Sequence, residues 1–123
     1  MKKLSLLMIL SVLILLIATG CRKQVFVGSS TGNDVQYIID FSVLNSTKTH
    51  EIKLEKGTTI NVIIEKKSGK LDILVSDSNG EKIYKSDNAN SAKFSLVMPK
   101  TDLYKFSVTG SNAKGSVSFK VAD

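Results

Sequence analysis

The 123-residue sequence predicts an all-β fold, an antiparallel two-sheet β-sandwich of about eight strands that follows an apolar N-terminal signal helix. Three observations carry this. From Val35 onward apolar side chains recur at every second position, the period of a strand with one buried face. Turn-forming residues interrupt the alternation at intervals of about ten. No window beyond residue 20 places apolar residues at i, i+3 and i+4, so no amphipathic helix is predicted there.

The first strand holds Val35, Tyr37, Ile39, Phe41 and Val43, and the second holds Ile52 and Leu54 between Glu51, Lys53 and Glu55. Lys56-Gly57 turns the chain into Ile60, Val62 and Ile64. Lys67-Ser68-Gly69-Lys70 is read as the next reversal, before Leu71, Ile73 and Val75. Asp77-Ser78-Asn79-Gly80 is a strong turn signal, because Asn and Gly tolerate positive φ. Ile83 and Tyr84 then mark a short strand, followed by Phe94, Leu96 and Met98. Pro99 cannot donate to a ladder and opens a turn through Asp102. Tyr104, Phe106 and Val108 alternate next, and Gly110 to Gly115 is read as a reversal into Val117, Phe119 and Val121.

The N-terminal segment has a different logic. Met1-Lys2-Lys3 is positive, Leu4 to Ala18 is apolar except for Ser5 and Ser11, and Thr19-Gly20-Cys21 follows. This is the charged, apolar and small-residue order of a secretory signal. Fifteen helical residues rise only about 22 Å, short of a ~30 Å hydrocarbon core. Cys21 is the sole cysteine, so no intramolecular disulfide is available. Ala18-Thr19-Gly20-Cys21 resembles the lipobox of bacterial lipoproteins. The resemblance implies cleavage between Gly20 and Cys21, diacylglycerol in thioether linkage to the Cys21 sulfur, and further acylation with a fatty acid such as palmitate. It places the protein on the extracytoplasmic side of the cell membrane, with two or three acyl chains meeting the requirement for stable anchoring.

The chain therefore divides into a signal peptide over residues 1–20, a lipidated cysteine with a flexible tether over 21–34, and one sandwich domain over 35–123. The tether is read from Gly28, Ser29, Ser30, Thr31, Gly32 and Asn33, with Val25-Phe26-Val27 as an apolar exception. The formal charge of +6 becomes +4 once Lys2 and Lys3 leave with the signal. An excess of that size favours anionic lipids or wall polymers. Lysines spread along the chain do not make the clustered patch of a nucleic-acid binder.

The second half carries another resemblance. The strand LDILVSD, the turn SNGEKIY, the strand AKFSLVMPKTDLYKFSVTG and the closing NAKGSVSFKV are similar in order to GOLD-like and bacterial pre-peptidase C-terminal domains. Those are jelly-roll-like sandwiches, and the resemblance implies packing, adhesion or partner contact, with no catalytic residue to carry over.

Candidate chemistry is sparse. His50, the one histidine, is read as a surface histidine in the polar Asn45–His50 connection, with no nucleophile-elbow glycine pattern near any serine. One histidine and a lipidated cysteine do not supply the four N or S ligands of structural zinc. Asp72, Asp77, Asn79 and Glu81 offer oxygens around one turn, without the full twelve-residue calcium loop, so a hairpin turn near Asp77 is preferred to a calcium site. Asp40, Glu51, Glu55 and Glu65 are read as solvated strand charges rather than a glycosidase pair. Tyr37 and Tyr104 fall on core-facing positions, while Tyr84 beside Ile83 is the candidate partner-facing aromatic. Neither a cofactor nor a catalytic constellation is predicted. The composite expectation is a lipid-anchored, non-catalytic surface module for an envelope protein or glycan. The alternative is a structural or accessory subunit of an envelope assembly.

The anchor is testable directly. Mass spectrometry of the mature protein should show Cys21 as a lipid-modified first residue, whereas an intact Met1 terminus or a free Cys21 thiol overturns the expectation.

Overall fold

The computed structural model describes residues 23–123. The segment expected to be a signal, with Gly20 and the expected lipidation residue Cys21, lies outside the described residues. Seven strands follow one another: β1 (Val25–Gly32), β2 (Gln36–Asn45), β3 (Thr47–Leu54), β4 (Thr59–Ser76), β5 (Lys82–Ser86), β6 (Ala92–Val97) and β7 (Asp102–Val121). All pairings are antiparallel. The all-β class is as the alternation predicts, and the way strands join differs from it.

The strands β4 and β7 are far longer than the predicted segments. They pair from Ile60↔Val121 to Lys66↔Gly115, pass two register shifts between Lys66 and Lys70, and pair again from Lys70↔Ser111 to Ser76↔Lys105. The first half of this ladder carries β2 and β6, with β1 beyond β2. The second half carries β3 and β5. One layer is thus β1-β2-β7-β4-β6 and the other β3-β7-β4-β5, with β4 and β7 common to both.

Residues 67–70 and 110–115 therefore bend the chain from one layer into the other, where the sequence was expected to reverse it. The reason is local. Gly69 has φ 77° and Asn112 has φ 48°, left-handed conformations that kink a strand without ending its ladder. The two residues face each other so closely that a Cβ on Gly69 would collide with the Asn112 carbonyl. The predicted eight segments become seven strands because two pairs of them fuse and β1 is added.

That β1 strand is a second correction. The tether expected over 21–34 is in large part ladder, with Val25 opposite Asn45 and Gly32 opposite Tyr37. Phe26 packs against the core edge under the Lys48 ammonium, 4.8 Å from its ring centroid. Apolar contact at Phe26 plus ladder bonds along β2 hold a segment whose glycines and serines alone would read as loop.

The core lies between the layers. Phe106 of the second meets Phe119 of the first at 4.9 Å between centroids, and Tyr37 stacks on Phe119 at 6.3 Å. Ile39, Ile60, Val62, Leu71, Val75, Tyr104, Phe106, Val108, Val117 and Phe119 are fully enclosed, as their alternation requires. The Tyr104 hydroxyl donates to the Lys100 carbonyl at 2.5 Å, so the buried phenol closes the turn that begins at Pro99.

Replacement of Gly69 by Ala should place a Cβ against backbone at a left-handed position. A loss of at least ~1–3 kcal/mol is expected, read by denaturant unfolding. A wild-type midpoint in Gly69→Ala would show that the bend does not depend on this residue.

Candidate functional site

The outward side chains of the β1-β2-β7-β4-β6 layer form the first candidate surface. Register places Thr31, Ile38, Ser118, Ile63 and Lys93 in one row across the strands. Ser29, Asp40, Ser116 and Glu65 form the next row. Gln36, Lys120, Asn61 and Ser95 form the row on the other side. The β7 contributions, Ser116 and Ser118, are small, and their neighbours on β2 and β4 are longer. The result is a groove with a serine floor along β7. Two depressions lie in line on it, of about 540 Å³ beside Asn61, Ile63, Lys93, Ser118 and Lys120, and about 150 Å³ beside Asp40, Glu65 and Ser116. A run from Lys114 to Lys120 spans roughly 20 Å of strand.

Asp40 and Glu65 are thereby brought to either side of Ser116, two strand spacings or about 10 Å apart at the backbone. Both stand in open solvent on a shallow face. That setting suits hydrogen bonding to a polar ligand. Glu51 and Glu55 belong to β3 and its following turn, in the other layer.

A second polar feature sits at the bend end of the sandwich. A cleft of about 420 Å³ is lined by Lys23, Asn45, Ser46, Thr47, Ser111 and Asn112. Asn45 Oδ1 accepts from the Asn112 amide at 3.2 Å, and the Thr47 and Thr109 hydroxyls pair at 2.8 Å. The Ser46 hydroxyl oxygen is buried and has no hydrogen-bond partner among the described residues.

The turn around Asp77 is a clamp. The Asp77 side chain is fully buried; its Oδ1 accepts the amides of Asn79 at 2.9 Å and Glu81 at 2.8 Å. Its Oδ2 faces the Lys100 ammonium at 2.9 Å, and Lys100 also reaches Asp102 at 3.5 Å. Asp102 in turn accepts the Ser78 hydroxyl at 2.9 Å. The carboxylate that a calcium ion would need is thus satisfied by two amides and a lysine. Among the described residues no three His, Cys, Asp or Glu side chains are grouped to hold a metal. Lys100 holds the Asp77 carboxyl below the usual aspartate range, against the opposing effect of burial, and Asp77 raises Lys100 in return. The Ser78 hydroxyl similarly lowers Asp102.

Two single-residue expectations need restating. His50 belongs to β3 rather than a loop; its ring lies 5.3 Å from Tyr37, and Nε2 donates to the Asn33 carbonyl at 2.9 Å. Tyr84 stands opposite Val75 and packs on Phe94 at 4.9 Å, half-buried at the core edge. The bulge between Val75 and Ser76 sets that register, and the exposed side chains of β5 are Lys82 and Lys85. The groove residues Asn61, Ser116, Ser118 and Lys120 were not singled out from sequence. Their signal is the pair of small serines on the wet side of GSVSFK, where other strands carry long charged residues.

No protein-family model matches this chain, and no curated relative matches it by sequence. Its fold is shared with solved structures. The periplasmic inhibitor of g-type lysozyme from Aeromonas hydrophila is 17% identical, with 77% of this chain and 88% of that chain covered at a TM-score of 0.50. The pre-peptidase C-terminal domain of collagenase from Bacillus anthracis is 13% identical, covering 80% and 89% at 0.45. A family 29 carbohydrate-binding module complexed with cellulohexaose is 13% identical, covering 80% and 86% at 0.40. The class is therefore the antiparallel β-sandwich.

The clamp makes a pH prediction. A carboxyl with a depressed folded pKa contributes stability that is present above its unfolded value of about 3.9 and lost as pH falls through the folded value. A lysine with a raised folded pKa contributes below about 10.4 and loses that contribution as pH climbs through its folded value. Lys100→Met should thus lower Tm at neutral pH, with the gap from wild type closing on acidification below the aspartate range. A gap independent of pH would remove the ion pair from this account.

Proposed function

We propose that the domain is a non-catalytic, lipid-anchored binding module of the cell envelope, and that it takes an extended polar glycan along the β7 groove. The groove itself carries the reading: a floor of two serines, Ser116 and Ser118, set between Lys114 and Lys120 on a strand run of roughly 20 Å, with two depressions along it lined by amide, hydroxyl, ammonium and carboxylate groups and with Ile38 and Ile63 beside it. Such a surface offers many hydrogen bonds in a line and no enclosed reaction centre. It suits a repeating hydroxylated or amidated chain, each unit of which exchanges bound water for a polar side chain at small net gain. The shared sandwich architecture agrees with the reading at the level of fold alone.

A second reading, an accessory subunit of an envelope assembly, is favoured by one observation. The edge strand β1 is exposed over most of its length and contains no charged residue and no proline. Unguarded edges accept a further strand from a partner, and the bulge between Val27 and Gly28 is the irregularity along this one.

The test is to screen the processed full-length protein against envelope glycans and wall polymers, alongside Ser118→Trp. Filling the groove floor should reduce affinity for the bound polymer at least about tenfold, equivalent to ~1.4 kcal/mol, with an unchanged thermal transition. Equal binding by Ser118→Trp, or no binding to any glycan, sinks the groove reading. A fixed protein neighbour crosslinked through β1 would then favour the accessory subunit.

A further inference from the structure

The position of the strand β1 changes what an anchor at Cys21 would do. The Lys23 carbonyl accepts a hydrogen bond from Asn45 Nδ2 at 3.0 Å, so the chain is fastened to the sandwich before β1 begins at Val25. Two residue steps separate Lys23 from Cys21, a reach of at most about 7 Å. A lipid on Cys21 therefore draws the bend end of the sandwich onto the bilayer surface, with no slack for the domain to float free.

Charge is sorted along the same axis. The strand ends and connections at the bend end gather Lys23, Lys48, Lys66, Lys67, Lys70 and Lys114. Of the acids near them, Asp72 accepts the Asn88 amide at 2.8 Å and Asp87 pairs with Lys85 at 3.7 Å, while Asp40 and Glu65 lie exposed in the depression that Lys67 and Lys114 also line. The opposite end carries Asp34, Glu55, Asp77, Glu81, Asp102 and Asp123, with Lys53, Lys56, Lys82, Lys100 and Lys120 among them. The polar cleft lined by Asn45, Ser46 and Ser111 opens beside Lys23 on the basic end.

We propose that this basic end is a docking surface for anionic phospholipid headgroups, holding the lipidated protein upright with Lys67, Lys70 and Lys114 against the phosphates and the Ser46 cleft beside them. The proposal rests on the lipid anchor at Cys21. Each lysine brought to an anionic membrane surface strengthens attachment by roughly fivefold at low salt, and the effect decays within a Debye length. Only the end drawn in by a short linkage can use it.

The experiment uses the processed full-length protein in phosphatidylcholine vesicles with and without phosphatidylglycerol. With Cys21 acylated, a cysteine introduced at Ser68 (bend end) or at Asn79 (opposite end) is a unique site for a fluorophore. A headgroup-labelled quencher lipid should quench the Ser68→Cys label several-fold more than the Asn79→Cys label in anionic vesicles. That difference should shrink in neutral vesicles, in high salt and in K67E/K70E/K114E, and persist in K67R/K70R/K114R, whose retained signal excludes misfolding as the cause. Absence of the lipid mass on Cys21 overturns the anchor and this proposal with it. Lipidated Cys21 with equal quenching at the two labels, or a difference indifferent to lipid charge and to the glutamate substitutions, overturns the docking surface alone.

Discussion

The continuous antiparallel pairing of β4 with β7 places everything else in this molecule. Each of these strands belongs to both layers, so the sandwich is one long ladder bent at its middle, and the remaining strands are added to one half or the other. A sandwich assembled from separate short strands can shift one sheet relative to the other. Here the covalent backbone crosses between the layers twice, at residues 67–70 and 110–115, and fixes their relation at that end. The left-handed pair Gly69 and Asn112 concentrates the curvature in a few residues, leaving the flanking alternation intact. Phe106 and Phe119, on opposite sides of the bend along the same strand, can then meet across the core with their rings tilted by 56°.

That architecture gives the two ends of the molecule different characters. At the bend the ladder bonds continue, so the side chains there are free to be lysines and small polar residues facing water. At the other end four connections must be closed, and they are closed with polar side chains tied to backbone. Asp77 caps its own turn, Asp102 and Lys100 tie that turn to the one after Pro99, and the Tyr104 hydroxyl fastens the latter from beneath. The acidic residues at that end are thus partly a consequence of turn chemistry, because Asp accepts amides two and four residues on.

The strand class, the core face and the turn at Asp77 could be read from the sequence because each depends on residues close together in the chain. Val117 and Phe119 alternate with serines whatever β7 is paired with. The bend could not be read in this way. Gly69 and Gly110 to Gly115 have the composition of turns, and only the partner strand across the ladder determines that the chain continues instead of reversing. The same is true of β1, whose glycines and serines are ordered by β2 and by Phe26 under Lys48, contacts with residues far along the chain. His50 joins β3 only because the ladder with β7 extends to Thr47, and the half-burial of Tyr84 likewise depends on its partner strand. A one-residue choice of register decides which face a strand residue takes, and neither its polarity nor its neighbours disclose it. The groove was the hardest feature to foresee, since Ser116 and Ser118 become a floor only when Ile38, Asp40, Ile63 and Glu65 are aligned on either side.

Ordering of β1 joins the two functional proposals through geometry. The groove follows β7 from Lys114 at the basic end toward Lys120 at the acidic end. If the basic end rests on headgroups, β7 and its groove stand along the membrane normal, and a glycan bound there runs away from the bilayer, toward the envelope polymers above it. A flexible tether of fourteen residues, as composition alone suggested over 21–34, would have left that direction undefined. With Lys23 already bonded to Asn45, a lipid on Cys21, as proposed, would set that direction through only two residues. The orientation also keeps the exposed β1 edge roughly perpendicular to the membrane, accessible from the side to a neighbour anchored in the same way, so that glycan binding and lateral assembly would use different faces of one upright domain.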